Sequence, residues 1–244
     1  MFMNTQLKAI SFSRNTLILI AIYLGLSTSS CSSLNRIQKQ SGMKTKTIKL
    51  KDLGSEYLTY KDGDFDYFNN DAKQKLVIKY RRFRFNKFDR FNKKATVLFA
   101  KFKLAQRINR DFDEQINLLL EDALKGETRK SLRDALRKRS SKKLKTVQNL
   151  ENSYEALSLS LNSLKSIVVD AKELVDISKG LTAQTKKQAM AKPDKVVLVD
   201  KVASESKRTL KRLYSVVKES PELIKSMISN LKISEVAKAI KKSK

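Results

Sequence analysis

Apolar residues recur at steps of three and four along two long stretches of the chain. The first seam runs Leu76, Tyr80, Phe83, then Phe91, Ala95, Leu98, Phe102, Ala105, Ile108, Phe112, Ile116, Leu119 and Ala123. One stripe at that period predicts an amphipathic helix from Leu76 onward, and Gly126 supplies its stop. The second seam is Val147, Leu150, Tyr154, Leu157, Leu161, Leu164, Val168, Ala171 and Val175, a heptad repeat of coiled-coil type. Ile167 and Leu174 widen its apolar face, which favours packing inside a bundle over a two-stranded coil. A homo-oligomer through 147–175 is the alternative. Gly180 predicts the end of this helix, followed by a polar link, LTAQTKKQAMAKPDK. A third stretch, 195–219, carries Val199, Val202, Leu210, Leu213, Tyr214 and Val217. Ser220-Pro221 predicts a restart with Ser as N-cap and Pro in the first turn. The last helix then uses Leu223, Ile224, Met227, Ile228 and Leu231. No run alternates strictly, so the fold class is all-α: an elongated bundle of long amphipathic helices with one coiled-coil-like segment.

The N-terminus follows a different pattern. Lys8 and Arg14 precede an apolar run from Thr16 to Leu26, and small polar residues Ser27 to Ser30 follow. A cationic start, a short apolar centre and a small-residue end predict a secretory signal over 1–30. A transmembrane span needs about 20 apolar residues, and TLILIAIYLGL is much shorter. Cys31, the chain's single cysteine, stands where the signal ends and has no internal partner for a disulfide. Thr28, Ser29, Ser30 and Cys31 resemble the lipobox of bacterial lipoproteins, with Thr28 in place of the usual Leu. The resemblance implies that Cys31 is lipidated and becomes the first residue of the mature chain. The relaxed lipobox, abundant Lys, Ile and Asn, and the absence of His and Trp further resemble the surface lipoproteins of the Lyme-disease spirochaetes (Borrelia). That likeness covers the leader and the composition. It implies a lipid anchor in the outer membrane and display at the cell surface, with the periplasmic face as the other placement.

The body divides into a flexible tether and irregular segment over 31–70, a long-helix core over 71–191 and C-terminal helices over 192–244 that pack on it. Asn69, Asn70 and Asp71 are candidate N-caps for the first helix. Asp62, Asp64 and Asp66 begin like a calcium loop. Tyr67 stands where that loop needs Gly, and Lys73 where it needs Glu, so an acidic turn is the better reading.

Composition narrows the chemistry. The formal charge is +27, and the leader carries only two of those charges, Lys8 and Arg14. An excess of this size attracts anions. Without histidine there is no imidazole base for a Ser–His–Asp or Cys–His arrangement. With Cys31 acylated there are no thiolate zinc ligands. The six scattered glycines form no phosphate-cradling loop. These absences point to a protein without catalytic activity and without a cofactor or metal.

Two segments gather the charge. Residues 79–94, KYRRFRFNKFDRFNKK, interleave cations with rings, and on a helix Lys87 would fall between Phe83 and Phe91 where the seam should be apolar. Such conflict between local pattern and packing tends to mark a functional site. Arg81, Arg82, Arg84, Lys87 and Arg90 are the first candidate polyanion-binding set. Arg129, Arg133, Arg137, Lys138, Arg139, Lys142 and Lys143 are the second, in a stretch where Asp134 is the only acid. Like charges at i and i+4 oppose helix formation by a few tenths of a kcal/mol per pair, so they suggest an external partner. For an exported chain, the expected polyanion is a host glycosaminoglycan, with a host protein or anionic lipid as alternatives. Nucleic acid is not expected outside the cell, although basic and aromatic residues together also suit single strands. A structural lipoprotein acting by helix–helix association is the competing function.

Overall fold

The computed structural model describes residues 43–58, 60, 75–122, 126–138, 150 and 153–242. The compact unit spans Lys44–Lys244. Its elements are strand β1 (Lys44–Thr47), 3-10 turns at Leu50–Asp52 and Ser55–Tyr57, strand β2 (Lys79–Arg82), and helices α1 (Asn86–Asp122) and α2 (Leu132–Lys138). They continue with α3 (Tyr154–Met190), a 3-10 segment Pro193–Leu198, and α4 (Val199–Lys242). The all-α bundle is present: α1, α3 and α4 pack on one another, with α2 against α4.

The order of side-chain contacts gives the helix directions. On α1 and α4 the pairs Asn92–Thr209, Thr96–Arg212, Gln106–Glu219 and Asn109–Ser226 advance together, so those helices run parallel. Between α3 and α4, Thr182 meets Ser206 while Leu150, ahead of α3, meets Ser234, so that pair is antiparallel.

The α1 seam is as expected: Phe91, Ala95, Leu98, Phe102, Ala105, Ile108, Phe112, Ile116 and Leu119 are all buried. Helix α1 is described as far as Asp122, and Gly126 beyond it has φ +88°, a left-handed conformation that suits glycine. In the second seam Leu150, Leu157, Leu161, Leu164 and Ala171 are buried within the chain, together with Ile167 and Leu174. The wide face therefore packs on the chain's own helices.

Three expectations change. Gly180 does not end α3, which continues to Met190. Ser178, Thr185 and Ala189 are buried, and half-buried Thr182 shares a hydrogen bond with Ser206 of α4 at 2.6 Å. These small side chains let the helices approach closely, and one glycine costs only about 1 kcal/mol in a helix. Ser220-Pro221 does not restart a helix either. Helix α4 runs through Pro221, and the Ser220 hydroxyl donates back to the Val216 carbonyl at 2.6 Å instead of capping a new turn. The reason is the seam: Val202, Ser206, Thr209, Leu213, Val216, Ser220, Leu223, Met227, Asn230 and Ser234 are all buried, at steps of three and four with no interruption. Packing along that whole stripe outweighs the one backbone bond that proline removes. Tyr214 and Ile228, expected inside, are exposed.

The third change lies at the N-terminus of the body. The segment expected to be irregular contains β1, which pairs antiparallel with β2 in the register Lys44↔Arg82 to Thr47↔Lys79. Ile48, Leu50, Leu53 and Tyr57 are almost fully buried, and the Tyr57 hydroxyl donates to Ser163 on α3 at 2.9 Å. A ribbon this short shows little alternation, so the sequence pattern conceals it. Cys31, the acidic residues at 62, 64 and 66, and the candidate caps at 69–71 lie outside the described residues.

Candidate anion-binding surface

The stretch 79–94 is not one helix. Residues 79–82 form β2, the chain turns through Phe83–Phe85, and α1 begins at Asn86. The turn pivots on Arg84, whose φ of +60° is left-handed, a conformation that costs a non-glycine residue about 1 kcal/mol or more. It places both neighbours inward: Phe83 is 0% exposed and Phe85 6%. Phe88 and Phe91 join them at 0% and 5%, with the Phe83 and Phe88 rings edge-on at 5.8 Å between centroids. The conflict at Lys87 disappears because Phe83 lies before the helix.

Asp89 fixes the turn. Its carboxylate accepts the Phe83 backbone N–H at 2.8 Å and lies 3.9 Å from the Arg82 guanidinium. Burial pushes its pKa up, while the backbone N–H donors and Arg82 pull it back down.

The strand is held by a polar network between α1 and α4. Asn92, fully buried, donates to the Arg81 carbonyl at 2.7 Å and accepts from the Thr209 hydroxyl at 2.6 Å. Glu205, also buried, accepts the Arg81 N–H at 3.2 Å and has Arg208 at 3.7 Å. Arg212 donates to the Lys79 carbonyl at 2.9 Å and to Thr96 at 3.2 Å. Burial, with Arg208 nearby, lowers its pKa to about 10.

This scaffold sorts the interleaved residues: rings in, cations out. Arg82, Arg84, Lys87 and Arg90 are exposed, and Arg81 is half-buried. Two cations that are remote along the chain join them. Lys44 faces Arg82 across the ribbon. Lys195, from the link between α3 and α4, donates to the Arg84 carbonyl at 3.4 Å and lies 4.6 Å over the Phe85 ring. Only the tertiary fold brings them there.

The second cluster divides. Arg129 donates to Asp113 on α1 and Asn230 on α4. Asn230 in turn donates to Asn109 at 2.9 Å and to Asp113 at 3.0 Å. Arg129 thus ties helices together while its side chain stays 39% exposed. Arg133, Arg137 and Lys138 belong to α2, whose buried stripe is Leu132, Ala135 and Leu136. Their side chains, and all of Arg139, Lys142 and Lys143, lie outside the described residues.

Among the described residues no helix is long and apolar enough to cross a membrane. No family model matches the chain, and neither does any curated protein or solved structure.

Proposed function

We propose that the chain is a lipid-anchored envelope protein, held through Cys31 and displayed at the outer surface. In this reading it binds host polyanions of the sulfated glycosaminoglycan type without catalysing a reaction. One observation carries the choice of ligand: the four rings at 83, 85, 88 and 91 are buried while the neighbouring cations are exposed. Recognition of single-stranded nucleic acid relies on bases stacking on exposed rings. A surface with charge alone suits sulfate groups, which reward clustered Lys and Arg through counterion release, by analogy with DNA.

The binding face is Lys44, Arg82, Arg84, Lys87, Arg90 and Lys195. Burial of Ile167 and Leu174 inside the chain favours this reading over assembly through 147–175. The test is retention of the full-length chain, in non-ionic detergent, on immobilised heparin across a salt gradient. Arg84→Gln, Lys87→Gln and Arg90→Gln together are expected to move elution to clearly lower salt, each lost contact reducing the salt slope by about one. Elution unchanged from wild type would refute the surface. Labelled fatty acid entering the wild type but not Cys31→Ser tests the anchor separately.

A further inference from the structure

A second cationic feature lies farther along α1. Lys103, Gln106, Arg107 and Arg110 fall at spacings of three and four, hence on one helix face. With Lys75 and Leu76, from the segment leading into β2, they line a cleft of about 580 Å3. Pockets for small molecules commonly measure about 300–1,000 Å3. Among the described residues, every charged residue on its wall is a cation. Acids pair with this wall. Asp111 is 3.9 Å from Arg107 and 3.8 Å from Arg110, Glu114 is 3.6 Å from Arg110, and Glu219 is reached through Gln106.

The wall is also shaped. The Arg107 side chain is only 6% exposed, so its charge lies in a recess where water screens it poorly. Gln106 accepts from the Lys103 ammonium at 2.7 Å and donates to Glu219 at 2.9 Å, which fixes the orientation of both. Lys103 further lies 5.5 Å from the centres of the Phe99 and Phe102 rings. Like charges at such spacings repel one another by a few tenths of a kcal/mol per pair, more strongly at the recessed Arg107 than at Arg110, whose side chain is exposed. Arg107 and Arg110 also pair along the helix with Asp111 and Glu114, while the apolar seam of α1 is complete without any of these cations. A second basic cleft, of about 550 Å3 beside Arg129, Lys130 and Lys232, is less recessed: the Arg129 side chain is 39% exposed, against 6% for Arg107.

We infer that the α1 cleft is a binding site for a compact, sugar-sized anion carrying several sulfate or phosphate groups. Lys75, Lys103, Arg107 and Arg110 supply the charge, and Gln106 holds Lys103 in place. On the polyanion reading, which this inference extends, the cleft takes one highly sulfated unit while the face at 82–90 attracts the chain by charge alone.

Calorimetric titration of the full-length chain in non-ionic detergent separates the two sites, with sucrose octasulfate as one probe and inositol hexakisphosphate as the other. Lys103→Gln with Arg110→Gln is expected to weaken binding at least tenfold and to leave heparin retention largely intact. The variant carrying Gln at 84, 87 and 90 is expected to lose heparin retention and to change probe affinity less than twofold. Arg107→Gln provides a deeper check, read only if its circular dichroism matches wild type. Whichever probe binds more tightly identifies sulfate or phosphate esters as the source. No binding of either probe, or equal binding by wild type and the 103/110 variant, would overturn the site while leaving the heparin result to stand or fall alone.

Discussion

Asn92→Ala tests the network that seats β2. The side chain is fully buried and makes two short hydrogen bonds, to the Arg81 carbonyl at 2.7 Å and from the Thr209 hydroxyl at 2.6 Å. Its approach to Glu205, at 3.5 Å, is too long to add much. Truncation strands both partners, and each buried polar group left without a bond costs about 1–3 kcal/mol. Thr209 is fully buried and should lie near the middle of that range, whereas Arg81 is half-buried and should lie at the low end. The expected loss is about 2–4 kcal/mol, measured by urea denaturation followed at 222 nm. Hydrogen exchange should also quicken at the Arg81 amide, which Glu205 holds. Thr209→Val made in the Asn92→Ala background should cost about 1 kcal/mol less than in wild type, because the partner is already gone. A loss under about 0.5 kcal/mol, or strict additivity of the two changes, would refute the network as the fixture of the strand.

Three further outcomes are expected. Gly180→Ala should stabilise by about 0.5–1 kcal/mol, since Gly180 is inside α3 and a Cβ there meets nothing within 4 Å; destabilisation would place a helix end there after all. Pro221→Ala should stabilise by about 1–3 kcal/mol by restoring a donor to the Val217 carbonyl, and an unchanged melting temperature would argue against a continuous α4. Burial raises the Asp111 carboxyl to about 6, against the pull of Arg107 and Arg110 and with a push from Glu114. The native state therefore binds that proton more tightly than the unfolded chain, and stability should fall as pH rises from about 4 to 6, then level off. Asp111→Asn should remove that slope, so wild type should lose ground to the variant across this window in urea midpoints. A pH-independent difference would contradict it.

The apolar seams of α1 and α3 were legible because one face of each helix is almost purely hydrophobic, from Phe91 to Leu119 and from Leu150 to Leu174. Helix α4 was read as two pieces because its buried stripe includes Ser206, Thr209, Ser220, Asn230 and Ser234. Polar side chains at seam positions look solvent-facing until their partners are known. The same holds for Asn92 and Glu205, whose partners are 117 and 124 residues away. Among the candidate cations, Arg82, Arg84, Lys87 and Arg90 are exposed as their sequence suggested. Arg129 could not be distinguished from its neighbours, since the carboxylate that holds it, Asp113, belongs to α1. Lys44 and Lys195 were illegible for a related reason: neither is near Arg84 along the chain, and a charge cluster formed by folding leaves no local trace.

The seating of β2 between α1 and α4 also has a consequence for the order of folding. Its anchors join Arg81 to Glu205 and Lys79 to Arg212, 124 and 133 residues apart, whereas α3 and α4 meet across a short link. Long loops close slowly, so the helical hairpin can form first and the ribbon dock last. A nascent chain cannot complete this junction until α4 has been synthesised, so β2 stays unseated until translation of the chain is nearly finished.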